Sequence, residues 1–361
     1  MATLIKPTRT FTDAQLAQAR LVGDPPADAL IATVVAQTGR EGMGALMTWL
    51  ANNTDFDTNA QPIEVQQFFA EYARLPTWAD PARMRRGMAF FQKHSGAIGL
   101  TLGTYSLPYT YLGANGVQLL WLTERIRTDT ARRLQETGEW VFAVNDPKNW
   151  EGPPSPKGGV TTWATSSPFG GRGALYTLKI RLIHAAARWF GQHTGKWNMA
   201  WGVPVCQEDM VGTIGSFSYI VLRGLRKLGI TLTEQEEEDY LHHLNVVGYL
   251  NGVDEALLPH NLREAFHLDK LISQRQFRPS EAGTGLTKAL LDAIGKLSGS
   301  ENARNLAAAQ MRFFLGPAHA NALSIPDVPV ETRLMSVVSR LIVFPKLKPP
   351  SPQPPSPQRG N

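Results

Sequence analysis

Residues 174–191, ALYTLKIRLIHAAARWFG, read as one helix that is apolar on almost every side. Leu175, Leu178, Ile180, Leu182, Ile183, Ala185, Ala186, Ala187 and Trp189 leave no broad polar face, and a helix without one belongs in an interior. His184 stands in its middle, with Arg181 three residues before it and Arg188 four residues after, so the three share a face. Burying an imidazole without a partner costs about 1–3 kcal/mol. His184 therefore requires a hydrogen bond or a metal ion. Spacing leaves both open: a core histidine bonded to a carbonyl beside two surface arginines, or a haem ligand whose neighbouring guanidiniums meet the propionates.

Outward from this helix, the same periodicity recurs. Met43, Leu46, Met47 and Leu50 mark a helix over 39–52, and Leu30, Ile31, Val34 and Val35 an earlier one that Asp28 can cap. Further helices are expected at 62–73, 80–94, 118–141, 207–228, 234–247, 285–298, 301–313 and 331–343. The one at 234–247 carries a capping box, Thr233 with Glu236, and Gly248 just past its end. No alternating stretch is bounded by hairpin turns, so the chain reads as all-α, a single large helical domain over 21–345. Residues 1–20 read as an N-terminal arm, 145–173 as a Gly/Pro/Ser/Thr-rich excursion, and 346–361 as a Pro-rich tail that cannot build a core.

Composition narrows the function classes. The 361 residues are 43% hydrophobic and 19% charged, with a net charge of +5 that is scattered along the chain. There is no basic stripe interleaved with aromatics, so nucleic acid is not an expected partner. Cys206 is the single cysteine, which excludes an internal disulfide, a thiolate zinc site and a Cys-held iron–sulfur cluster. Neither a signal peptide nor an apolar run of about 18 residues is present, and the expected location is the cytoplasm. Oligomeric state is not legible.

Three other constellations bear on chemistry. Ile126, Thr130, Arg133, Thr137 and Val141 recur at helical spacing, so one face of 118–141 mixes apolar groups with a guanidinium and two hydroxyls. Arg133 and Thr137 there are donors able to steady dioxygen or an oxyanion; equally, Arg133 can pair with Asp129 on a wet surface. Gly96, Gly99 and Gly103 leave one helical face bare, as close approach of another helix or of a flat macrocycle would require. Glu238 and Asp239 lie one turn from His242 and His243, an incomplete version of a di-iron carboxylate pattern.

Several stretches together resemble the family that unites bacterial latex clearing proteins (rubber oxygenases) with fungal mpaB-type oxygenases. They are GDPPADALIA at 23–32, RRLQET at 132–137, KIRLIHAAAR at 179–188, WGVPVCQEDMVGTIGSFS at 201–218 and GYLNGVDEALLPHN at 248–261. The resemblance implies a globin-like helical core with extra helices, holding one haem b through His184. It implies distal roles for Arg133 and Thr137, and cofactor-binding roles for Arg181 and Arg188 beside Arg133. The family reaction cleaves C=C bonds of poly(cis-1,4-isoprene) with O2, so an isoprenoid-like apolar substrate and O2 are the expected partners.

Two departures stand out. Glu136 occupies the place of a family lysine and becomes a candidate distal acid or base. Val117 and Gln118 lie where the family's catalytic glutamate is expected, and an amide is no general base. A haem or lipid carrier without catalysis, and a di-iron protein, stand as alternatives.

Overall fold

The computed structural model describes residues 8–123, 130–151, 171–299 and 301–328, and among these no β-strand forms. The helices are α1 (Asp13–Ala19), α2 (Pro25–Ala51), α3 (Ile63–Tyr72), α4 (Pro81–Thr101), a π-helical turn (Leu102–Ser106), α5 (Leu107–Tyr111), α6 (Gln118–Leu122), α7 (Thr130–Val144), α8 (Gly171–His193), α9 (Gln207–Phe217), α10 (Tyr219–Lys227), α11 (Glu234–Leu250), α12 (Leu262–Gln276), α13 (Glu281–Ser298), α14 (Glu301–Leu315) and α15 (Pro317–Ala322). None of the described helices is long and apolar enough to cross a membrane.

The helix read first is α8, and it runs through the interior: Leu178, Leu182, Ala185 and Ala186 are fully buried. α2 wraps around it. A straight helix of 27 residues would be about 40 Å long, yet both ends of α2 meet a short stretch of α8. Asp24 and Asp28 reach Arg181 and Arg188, while the carbonyls of Trp49 and Asn52 accept from Lys179 Nζ at 2.8 and 2.9 Å. The bend is at Gly39, whose φ of 64° breaks the helix into the two segments that the periodicity marked. Lys179 thus covers the open carbonyl end of α2, and its buried ammonium is pushed down to about 8 by desolvation.

α11 lies against α4 and is buried on most sides, with Tyr240, Leu241, Leu244, Val246, Val247 and Leu250 in the core. Ion pairs tie the two helices together. Asp239 receives Arg83 at 2.9 Å and Arg86 at 2.6 Å. Gly87 permits the approach, because a Cβ there would stand 2.6 Å from the Asp239 carbonyl oxygen. Gly87→Ala is expected to lower the unfolding free energy by about 1–3 kcal/mol through overpacking, measured by urea denaturation. An unchanged midpoint would contradict the close approach.

Several local expectations are revised by the structure. α2 starts at Pro25 with Asp24 in the cap position; Asp28 instead turns back to accept the Asp24 N–H at 2.9 Å. The helix expected over 118–141 ends at Thr123, whose ψ of 96° is extended, and resumes as α7. Ile126 and Asp129 lie outside the described residues, as do 331–343 and most of the 145–173 excursion. The helix expected over 207–228 is broken at Ser218 (φ −106°, ψ −82°). α12 was missed because its charged residues hide the apolar repeat. Its signal was present in Asn261, whose side chain accepts from the Glu264 N–H three residues on. Residues 9–20 of the expected arm are docked: Leu16 is fully buried, and Arg9 meets Glu264 at 3.0 Å.

Candidate functional site

α7 and α8 lie side by side. Trp140 Nε1 on α7 donates to Thr177 Oγ1 on α8 at 3.4 Å, and the charges of Glu136 and Glu139 bear on the Tyr176 phenol. Arg133 stands two turns before Trp140, and His184 two turns after Thr177. In an antiparallel pair these positions are level. The electrostatics agree, because the guanidinium of Arg133 is among the charges that depress the His184 pKa. The packing thus sets the sequence-predicted pair at one level of two adjacent helices, with Arg133 on the exposed side.

His184 differs from the other interior histidines. His242 Nε2 accepts the Asp80 N–H at 2.9 Å, and His243 Nε2 bonds the Val144 carbonyl at 3.0 Å. Neither His184 nitrogen has a hydrogen-bond partner among the described residues, and Nδ1 is fully buried. The ring is nonetheless only half-buried by area, so its remaining surface faces space that protein atoms do not fill. Burial first, then the charges of Arg188 and Arg133, push its pKa down to about 3. The imidazole is neutral near pH 7, with a lone pair free for a metal. His94 also has an unpartnered nitrogen, but it sits against Phe90 beside the exposed Lys93–Glu236 pair.

The remaining predicted residues fall into two groups. Arg133 has no hydrogen-bond or ion-pair partner among the described residues, and Thr137, one turn on and half-buried, makes no hydrogen bond there. Both donors are uncommitted among the described residues, which do not include Asp129, and Arg133 is itself exposed. Arg181 and Arg188 are both paired. Arg181 forks onto Asp24 at 2.6 and 2.8 Å, and Arg188 meets Asp28 at 2.6 Å and the Val205 carbonyl at 3.0 Å. The carboxylates of the GDPPAD stretch pair with both, while Arg188 Nη2 stays buried without a partner among the described residues, so propionate contacts from these two arginines would have to compete with Asp24 and Asp28. Glu136 is likewise taken, in a surface pair with Arg132 at 2.9 Å. This placement does not support a distal acid–base role.

The di-iron alternative is also corrected. Asp239 is held by two arginines, Glu238 accepts the Leu262 N–H at 3.1 Å, and both histidines are bonded to backbone. No group of three ligating side chains gathers among the described residues. Tyr111 was not anticipated. It is buried, its hydroxyl has no partner among the described residues, and Arg133 acts electrostatically on its phenol. Only the tertiary contact marks it.

A model of the family described as "ER-bound oxygenase mpaB/B'/Rubber oxygenase, catalytic domain" matches residues 103–344. The chain belongs to the mpaB and rubber oxygenase family. It is 24% identical over 326 residues to the rubber oxygenase of Streptomyces sp. (strain K30), covering 89% of this chain and 75% of that protein. The solved structure titled latex clearing protein LCP in the closed state superposes with a TM-score of 0.70 at 22% identity, over 90% of this chain and 83% of the other. The all-α architecture is thus that of this rubber oxygenase fold.

The structure also shows what stands at the place where the resemblance led us to expect a glutamate. Val117 is buried, and Gln118 Nε2 donates to the Ala114 carbonyl at 2.8 Å, which leaves no carboxylate at that place. The donor set still suits an iron macrocycle. An orphaned imidazole stands level with a guanidinium that has no partner among the described residues. Gly99 on α4 and Gly215 on α9, both half-buried, have no atom within 4 Å of where a Cβ would stand. Gly96 is equally open, so close helix approach is not what these two α4 glycines provide; Gly103 is buried in the π turn.

His242 and His243 set an acid limit on stability. Their folded pKa values are pushed down from 6.5 to about 4 and about 3, chiefly by burial. Their contribution is complete above about pH 6.5 and is lost as pH falls toward 4, because the unfolded chain takes up protons that the folded chain refuses. Two such protons give a slope of up to about 2.7 kcal/mol per pH unit, and His184, shifted down to about 3, adds a third in haem-free protein. Asp269, whose buried carboxyl is shifted upward, opposes this with one proton. Denaturation midpoints measured between pH 7 and 4.5 should fall; a flat profile would show these imidazoles to be charged in the fold.

Proposed function

We propose that this protein is an oxygenase that holds haem b through His184 and uses O2 to oxidise or cleave C=C bonds in an isoprenoid-like apolar substrate. The carrying observation is the neutral, orphaned imidazole of His184, set in an interior helix level with Arg133, which has no partner among the described residues. When bound, the haem supplies an iron that can activate dioxygen, tuned by its axial ligand and by the polarity opposite.

The chain's own residues have definable parts. The Asp24–Arg181 and Asp28–Arg188 pairs anchor α8 on either side of His184 and hold the ring in place. Burial keeps the imidazole unprotonated. Arg133 and Thr137 offer uncommitted donors to an oxygen-bearing or anionic group, and the apolar residues of α8 exclude water. With an amide at 118 and Glu136 tied to Arg132, no carboxylate among the described residues stands ready to draw a proton from an allylic carbon by the route the family resemblance implies; Glu124 lies outside them. That favours a small soluble or membrane-derived alkene over solid polymer. It also keeps a second reading in view, a carrier that binds haem or lipid without turnover.

The test is oxygen uptake by the purified, haem-loaded protein offered polyisoprene and short terpenoids. Consumption with a terpenoid supports the proposal; no consumption with any alkene favours carriage. Arg133→Leu should lower kcat/KM about 10- to 100-fold, the worth of one charge-assisted hydrogen bond, while haem content is retained. Unchanged turnover would remove Arg133 from the site.

A further inference from the structure

A cavity of about 310 Å³ opens between the π turn, α10, α12 and α14, apart from the His184 site. Its floor is aromatic: Tyr105 and Phe314 stack with centroids 5.1 Å apart and planes 7° from parallel. Tyr105 rides on the π turn, closed by the Leu107 N–H reaching the Leu102 carbonyl; such wide turns recur at functional sites. Tyr105 is 1% exposed and lines the cavity, and its hydroxyl has no hydrogen-bond partner among the described residues.

The charges are unbalanced. Arg223, Lys227 and Lys270 line the cavity against a single carboxylate, Asp269. Asp269 is already shared between Arg223 Nη1 at 3.1 Å and the Tyr109 hydroxyl at 2.9 Å. Lys227 Nζ donates to the Phe314 carbonyl at 2.5 Å and lies 5.3 Å from the Tyr105 ring centre, with no carboxylate paired to it. Burial and Arg223 lower its pKa, a strain that a bound anion would relieve. The Lys270 ammonium has no partner among the described residues. Phe266, a large exposed apolar side chain, completes the lining.

We infer that this cavity is a second ligand site that binds an organic carboxylate with a compact apolar body, its head between Lys227, Lys270 and the Tyr105 hydroxyl and its body against Phe314 and Phe266. The volume is at the small end of ligand pockets and suits roughly ten to fifteen heavy atoms. The inference does not depend on the reading of His184.

Calorimetric titration of the purified full-length protein with octanoate tests it, with octanol and inorganic phosphate as controls. One saturable site tighter than about 1 mM is expected, and His184→Ala protein should bind octanoate equally well. Tyr105→Phe and Lys270→Gln should each weaken octanoate several-fold and together by about ten-fold or more; Lys270 is exposed, so its replacement leaves the fold intact. The inference is overturned if no saturable binding occurs, if octanol binds as well as octanoate, if phosphate alone competes equally, if His184→Ala abolishes the binding, or if both substitutions leave affinity unchanged.

Discussion

His184→Ala protein is expected to purify without a Soret band while keeping its helical circular dichroism. Removing an axial ligand should weaken haem binding by more than the ~10–100-fold that loss of an outer-shell partner costs. A structural role for the same residue gives the opposite pattern. A histidine bonded to a core carbonyl would, on truncation, cost stability and leave spectra alone. Here Nδ1 is buried without a partner, and an unmade hydrogen bond of that kind costs about 1–3 kcal/mol. In haem-free protein, His184→Leu should therefore leave the denaturation midpoint unchanged or raise it. A red His184→Ala protein, or a haem-free His184→Leu protein that is several kcal/mol weaker, would end the assignment of this imidazole to iron.

Asp24→Ala is expected to be the most damaging single change for stability. The Asp24 and Arg181 side chains are 2% and 8% exposed, and their two hydrogen bonds are the fork geometry that a guanidinium and a carboxylate favour. Removing one partner strands a buried charge at a cost of about 3–5 kcal/mol, a fall in Tm of roughly 5–10 °C for a chain of this size. The double variant Asp24→Leu, Arg181→Met should recover most of that loss, because the penalty lies in the unpaired charge and not in the absence of the pair. If Asp24→Ala is silent, the clamp on α8 is not what positions the helix. Because Arg181 is one turn from His184, the destabilised variant should also release haem faster; the Soret decay after mixing with excess apomyoglobin reads this directly.

Much of the fold was legible because helix burial is a local pattern. The aliphatic run around His184 could be satisfied only by an interior, and α8 is there. Gly39 ended one apolar repeat and began another, and the bend in α2 is at that residue. Thr233 and Glu236 made a capping box by their identities and spacing alone, and both halves of it are formed. α12 escaped because its apolar positions are diluted by charge, so burial came from neighbours and not from its own periodicity.

The site was legible only in its members. Spacing placed Arg181, His184 and Arg188 on one face of a helix and Arg133 and Thr137 on one face of another. Local sequence therefore determined which side chains each helix could present, the helical class of the chain, and the burial of His184, since these follow from side-chain hydropathy repeating every three to four residues. Which partners those side chains meet was decided by the tertiary structure. Asp24 and Asp28 are more than 150 residues distant in sequence from the arginines they neutralise, and the level pairing of Arg133 with His184 arises from the way α7 lies against α8. Hydrogen bonds and ion pairs act over a few ångströms in space with no reference to separation along the chain, so no periodicity encodes them.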